Sequence, residues 1–330
     1  MRLNNARVRF DDVHAGGTQT RVAVPLSPNH CWVTSLCTAI GPMARQETRR
    51  AMSGPAMLAV LALSYVLEAF ARLTRVDEAV YPEHKLLTTS LYHGRLPALL
   101  AGAAELARLY PGKAIVLRSL TAPPQGVAWP FRLVWIIEDL KRDWAPRTDT
   151  RRDLQQLADS GLTPKAYGAG IDPVRLARCL ALYRELYLDI YSAFNPDYTL
   201  DGLRGLMAED GLEIHTLEGG DGEIVAFCGL YADDETVTQP MMGYDRTRPQ
   251  GDGIYRIIQA HMAGIAATRG LKLNLSAGAP HFKRHRGARP WMEYLLIIDT
   301  HLPPWRRMGY RVIAWILHAL EPHLARIAAA

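Results

Sequence analysis

The sequence predicts an α+β fold: a mixed β-sheet flanked by helices. Three observations carry that expectation. Residues 212–243 hold three short branched-apolar runs separated by Gly-Gly-Asp-Gly and Asp-Asp, the chemistry of an antiparallel meander. Two helical patterns precede the meander. A glycine-led helix, a strand, a short helix and another strand follow it, which makes the sheet mixed.

The elements run as follows. "GPAMLAVLALSYVLEAFARL", residues 54–73, reads as a helix. Glu68 and Arg72 interrupt its apolar run before the roughly 20 residues that a membrane span needs, so it is expected to be a core helix and not a transmembrane segment. "LPALLAGAAELARLYPG", residues 96–112, is helical until Pro111-Gly112. "KAIVLRSL" (113–120) and "FRLVWIIEDL" (131–140) read as strands. The charged stretch 141–153 joins two halves, and "TRRDLQQLADSG" forms a helix ended by Gly161. "DPVRLARCLALYRELYLDIYSAF" (172–194) and "TLDGLRGLMAEDG" are helices. Strands near 212–218, 223–231 and 235–243 form the meander, a helix runs to about 268, and "LKLNLSAG" is a strand. "APHFKRHRGA" is a short helix and "EYLLIIDTHL" the last strand. The closing helix, "WRRMGYRVIAWILHALEPHLARI", is amphipathic, and its apolar stripe suits packing on the protein or lying on a membrane surface.

Composition narrows the function classes. The 330 residues are 48% hydrophobic and 22% charged, which fits about two globular domains. Cys31, Cys37, Cys179 and Cys228 form no CxxC pair, so free thiols and no metal site are expected. The first residues lack an apolar signal region, and a cytoplasmic location is the expectation. The net charge of +5 is spread without a basic stripe interleaved with aromatics, which speaks against a nucleic-acid module.

One stretch invites chemistry. In "DRTRPQGDGIYRIIQAH" (245–261), Arg248 to Gly253 run straight into a helical pattern. An ordinary helix start gains nothing from Gly-x-Gly, whose chain entropy folding must remove. A helix N-terminus bare of side chains does suit an anion, because its free N–H groups bind phosphate. A turn that merely redirects the chain would look the same.

That loop, placed after a meander and opening a helix, resembles the GNAT superfamily of acyl-CoA N-acyltransferases. The family's pyrophosphate signature, Arg/Gln-x-x-Gly-x-Gly/Ala, stands here as Arg248-Pro249-Gln250-Gly251-Asp252-Gly253. "NLSAGAPHFKRHRGA" is similar to the family's next strand and short helix, with Phe282 at its tyrosine and Gly287 at its glycine. The wording also resembles the long branch that includes the Fem-type peptidoglycan aminoacyl transferases. The match covers residues 166–300. The resemblance implies two GNAT-like halves, a degenerate one over 1–165 and an acyltransferase half over 166–330 with the amphipathic helix at its end.

What the resemblance implies for the site is specific. Arg248, Gln250, Gly251, Asp252, Gly253, Ile254 and Ser276 would hold the cofactor, with the amides of Gly251 to Ile254 cradling a pyrophosphate. A main-chain N–H near Met241 to Gly243 would polarise the thioester carbonyl, where the strands 235–243 and 271–277 splay apart. Phe282 cannot donate a proton as the family's tyrosine does. Lys283 next to it is a candidate to stabilise negative charge or bind the acceptor, or is a solvated lysine. Base candidates are Glu223, Tyr231, Asp245, His281 and Glu293, each also suited to a structural role. Cys228 lies in a buried run and suits a core thiol. His281 and His285 share a helix face without a third metal ligand. "KRHR" (283–286) reads as a solvated basic turn or as a patch for an acidic partner, such as an acyl carrier protein or an aminoacyl-tRNA.

The expected function is N-acyl transfer from an acyl-CoA or acyl-phosphopantetheine thioester to a small amine. A Fem-type transferase using aminoacyl-tRNA, and a non-catalytic ligand-binding protein, stand as alternatives.

Overall fold

A computed structural model describes residues 2–329, with side chains described through Pro322. The side chains of the closing helix beyond residue 322, which the amphipathic pattern included, lie outside the described residues.

The strands are β1 (Ala6–Ala15), β2 (Thr18–Asn29), β3 (Ala79–Pro82), β4 (Ala114–Leu120), β5 (Val127–Ile137), β6 (Thr163–Tyr167), β7 (Glu213–Glu218), β8 (Ile224–Ala232), β9 (Thr236–Tyr244), β10 (Lys272–Asn274) and β11 (Arg289–Ile298). The α-helices are α1 (Leu36–Thr38), α2 (Ala44–Ala51), α3 (Gly54–Leu73), α4 (Leu96–Ala101), α5 (Ala103–Leu109), α6 (Thr148–Asp159), α7 (Pro173–Arg184), α8 (Leu200–Glu209), α9 (Ile254–Arg269), α10 (Pro280–His285) and α11 (Pro304–Ala329). Glu185–Tyr191 continues α7 as a π-helical stretch.

The strands form one 11-stranded sheet in the order β1-β2-β3-β4-β11-β5-β10-β9-β8-β7-β6. The same pattern occurs twice. In the first half β3 runs parallel to β4; in the second β9 runs parallel to β10. The halves then exchange their closing strands. β11 pairs antiparallel with β4, and β5 pairs antiparallel with β10. β5 and β11 pair with each other at the centre. The boundary expected between residues 165 and 166 falls inside β6, and the exchange means that no cut in sequence divides the sheet.

Alternation along the strands sends side chains to two faces. Ala79, Tyr81, Val116, Ile214 and Phe227 join one core with residues of α3, α7, α8 and α11. Val225, Val237 and Leu273 join another beneath α9. Tyr310 and Ile313 of α11 are fully buried, so its apolar stripe packs on the protein.

Three expectations change. The helix over 96–112 is two short helices broken at Gly102, because the β1–β2 turn sits there: a Cβ at Gly102 would lie 2.3 Å from the Gly16 nitrogen. The strand over 271–277 stops at Asn274, since Ser276 takes a left-handed backbone (φ 60°). α3 is not a core helix. Leu61, Ser64, Leu67 and Ala71 face inward, while Leu58, Tyr65, Val66 and Leu73 are 55–76% exposed. By length and composition α3 could cross a membrane, with a mean hydropathy of 1.7.

Candidate active site

β9 and β10 are in register from Thr236/Lys272 to Thr238/Asn274 and then part. Beyond that point β9 continues to Tyr244, while the chain after β10 turns away. The turn is held by Lys283. Its Nζ donates to the carbonyls of Leu275 (2.7 Å), Ser276 (3.1 Å) and Ala277 (2.7 Å). Three acceptors use all three ammonium protons. Lys283 is 3% exposed; burial, then the Arg132 charge, push its pKa down to about 7. It is therefore not a solvated lysine, and its nitrogen is turned to main-chain carbonyls. It fixes the turn by which the chain leaves β10.

Where the strands part, Thr238 Oγ1, Gln239 Nε2 and Gln259 Oε1 are buried without hydrogen-bond partners. Gln259 Nε2 donates to Gln239 Oε1 at 2.9 Å. Gly243, further along β9, is glycine because helix α7 lies on it: a Cβ would meet the Leu182 carbonyl carbon at 2.5 Å.

The glycine loop follows β9. Gln250–Asp252 form one 3-10 turn, and Gly253 opens α9 with φ 61°. Not all four expected amides are available. Asp252 N donates to Pro249 O, and Gly253 N to Gln250 O. The N–H groups of Gly251, Ile254 and Tyr255 have no acceptor among the described residues. The two glycines thus differ. Nothing lies within 4 Å of a Cβ at Gly251, so a ligand can approach its amide. At Gly253 the left-handed backbone already demands glycine, and Gln156 Nε2 stands 2.7 Å from where a Cβ would be. Gln156, from α6, braces the loop by donating to the carbonyls of Gly251 (3.1 Å) and Asp252 (2.9 Å). Gln250 is exposed and Asp252 half-buried. Arg248 has no hydrogen bond or ion pair among the described residues, and its charge helps hold Asp245 low.

The base candidates do not converge. Glu223 is exposed at the β7–β8 turn, 3.3 Å from Arg178. Asp245 accepts from the Thr247 hydroxyl (2.6 Å) and lies 3.6 Å from the same Arg178. The Thr247 hydrogen bond, above all, lowers its pKa, which suits an ion-pair role more than proton abstraction. Tyr231 lies at the far end of β8, hydrogen-bonded to His93 Nε2 at 2.8 Å, and burial pushes its phenol up. His281 is exposed, with its ring 4.3 Å from that of His285. Cys228 is buried and its thiol is pushed up by burial, as a core thiol would be.

Glu293 is fully buried on β11 and forms a two-pronged pair with its cross-strand neighbour Arg132, Nε to Oε1 and Nη2 to Oε2, both 3.0 Å. Arg132 Nη2 also donates to Thr88 O (2.7 Å) and Thr89 Oγ1 (3.0 Å), and Nη1 lies 3.5 Å from Ser276 Oγ. Thr88 in turn donates to Pro240 O on β9. Arg132, Thr88 and Thr89 carry no local sequence signal; they matter only through the strand exchange. Ser276 faces this cluster.

"KRHR" is only partly a surface. Lys283 points inward, Arg286 pairs with Asp153, a side chain nearly fully buried, and stacks 3.7 Å over Phe282, and His285 stands 3.5 Å from Asp149. Arg284 alone remains exposed without an ion pair. Of the four, Lys283 and Arg286 are turned inward, to the loop after β10 and to Asp153 of α6, while Arg284 and His285 stay exposed.

Residues 146–284, under half of the chain, match the family model described as an acetyltransferase (GNAT) domain. No curated protein matches the chain significantly. Among solved structures, the chain is similar to the C-terminal domain of a putative lysylphosphatidylglycerol synthetase from Agrobacterium fabrum (13% identity, 66% of this chain and 77% of that one, TM-score 0.47). It is also similar to FemX (10% identity, 94% and 91%, TM-score 0.48) and to a tandem GNAT protein from the clavulanic acid biosynthesis pathway (11% identity, 89% and 84%, TM-score 0.39).

Proposed function

With residues 146–284 matching a GNAT acetyltransferase domain, we propose that this chain is an N-acyltransferase that moves an acyl group from a coenzyme A thioester to an amine. One observation carries the reading. The unpaired amides of Gly251, Ile254 and Tyr255 open α9 directly after a strand that has parted from its parallel neighbour. A helix start of this kind binds pyrophosphate, and the parted strands leave room for the thioester arm.

In this reading Arg248 adds a charge-assisted contact to the pyrophosphate. A main-chain N–H of β9 polarises the carbonyl in the gap. Lys283 keeps that gap open. The amine nitrogen bonds the carbonyl carbon. The carbon–sulfur bond breaks with its electron pair on sulfur, and the proton lost by nitrogen ends on the thiol.

Calorimetry with coenzyme A and acetyl-CoA tests the reading. Saturable binding supports it; no heat from either compound up to millimolar concentration counts decisively against it.

A further inference from the structure

Arg118 on β4 is 1% exposed, and its Nε, Nη1 and Nη2 all lack hydrogen-bond partners. Two more buried polar atoms near it are orphaned: the Tyr81 hydroxyl on β3 and His84 Nε2 just beyond β3. The Tyr81 and His84 rings are 5.7 Å apart, and both groups feel the Arg118 charge. Trp32 and Phe131 flank the guanidinium at 5.1 and 5.3 Å. Stacking on aromatic faces offsets part of the loss of water, but it replaces none of the hydrogen bonds of five N–H donors.

The charges do not balance either. Glu293 is the carboxylate whose charge reaches Arg118, yet both its oxygens are engaged by Arg132. Arg118, Arg132 and Glu293 leave one net positive charge enclosed by protein. A buried guanidinium without an anion is strongly unfavourable. A carboxylate matches its planar fork with two parallel hydrogen bonds.

We propose that Arg118 binds the carboxylate of the acyl acceptor, so that the acceptor is an amine of the amino-acid class. The proposal rests on the acyl-transfer reading for the word acceptor, and on Arg118 alone for the carboxylate. Position supports it. β4 occupies in the first half the place that β10 holds in the second. One irregular segment, residues 83–95, links the two sites: His84 lies in it beside Arg118, and its Thr88 bonds Pro240 O at the thioester gap. Entry requires this segment to part from β4, where Ser90 N now donates to Ser119 Oγ at 2.9 Å.

The test uses thermal melting of the full chain with and without each standard L-amino acid and its carboxamide. Without ligand, Arg118→Met is expected to raise Tm by about 2 °C or more, because an uncompensated charge is gone. At least one amino acid is expected to raise the wild-type Tm, its carboxamide is not, and Arg118→Met is expected to lose that shift. Should Arg118→Met not fold, Arg118→Gln serves for the same comparison. A lower ligand-free Tm in the variant that folds, equal shifts from acid and carboxamide, or no shift from any amino acid overturns the proposal. Coenzyme A binding, measured in parallel, separates the two readings: its absence sinks acyl transfer while leaving a carboxylate site at Arg118.

Discussion

Arg132 and Glu293 are cross-strand partners on β5 and β11, joined by two contacts of 3.0 Å, and so they tie strands that the two halves of the chain have exchanged. The carboxylate is fully buried. Removing Arg132 strips the buried carboxylate of both its charge-assisted hydrogen bonds, and removing Glu293 leaves two guanidinium charges enclosed without an anion. Arg132→Met and Glu293→Gln should each cost about 3–5 kcal/mol in urea unfolding, and the double variant Arg132→Met/Glu293→Met should recover part of it. Losses below about 1 kcal/mol for both single variants would show that the pair does not hold the seam.

Lys283 makes stability depend on pH. Its folded pKa, about 7, lies below its ordinary 10.5. Between those values the unfolded chain holds a proton that the folded chain lacks, so this residue's contribution to stability rises with pH by up to about 1.4 kcal/mol per unit. Below pH 7 both states are protonated and the slope vanishes. Unfolding free energies of wild type and Lys283→Met at pH 6, 8 and 9 measure it. The difference, wild type minus variant, should grow from pH 8 to 9; a flat difference contradicts the assignment.

Glycines 251 and 253 should separate binding from folding. Gly251→Val meets nothing, so Tm should stay within about 1 °C while coenzyme A affinity falls about tenfold or more. Gly253→Ala has φ 61° and faces Gln156, so it should lose about 1–2 kcal/mol of stability. Thermal melts beside calorimetry decide the matter, and the reverse ranking would refute the loop geometry.

The outward face of α3 should tolerate polar residues. Leu58, Val66 and Leu73 are 62%, 65% and 76% exposed. Replacing all three with Gln should leave Tm nearly unchanged, since surface substitutions fall within about 0.5 kcal/mol each. A drop of 5 °C or more would mean that the face is covered in the folded protein.

Much of the second half was legible. The meander and the glycine-led helix announce themselves through local periodicity and turn chemistry. The β1–β2 hairpin is equally readable, since "ARVRFDDVHA" alternates and Gly16-Gly17 turns it. The strand exchange was not readable. Arg132 and Glu293 lie 161 residues apart, and no local pattern marks β11 for insertion beside β4. α3 misled because a helix apolar all round shows no face to assign. Lys283 misled because its partners are main-chain carbonyls, which carry no sequence identity.

The most direct test compares coenzyme A with pantetheine, which lacks the pyrophosphate, in calorimetry on wild type and Gly251→Val. The account predicts that wild type binds coenzyme A about a hundredfold more tightly or better, and that Gly251→Val weakens coenzyme A alone. Equal affinities for the two compounds, or equal losses on substitution, would contradict a diphosphate held by the amides of this loop.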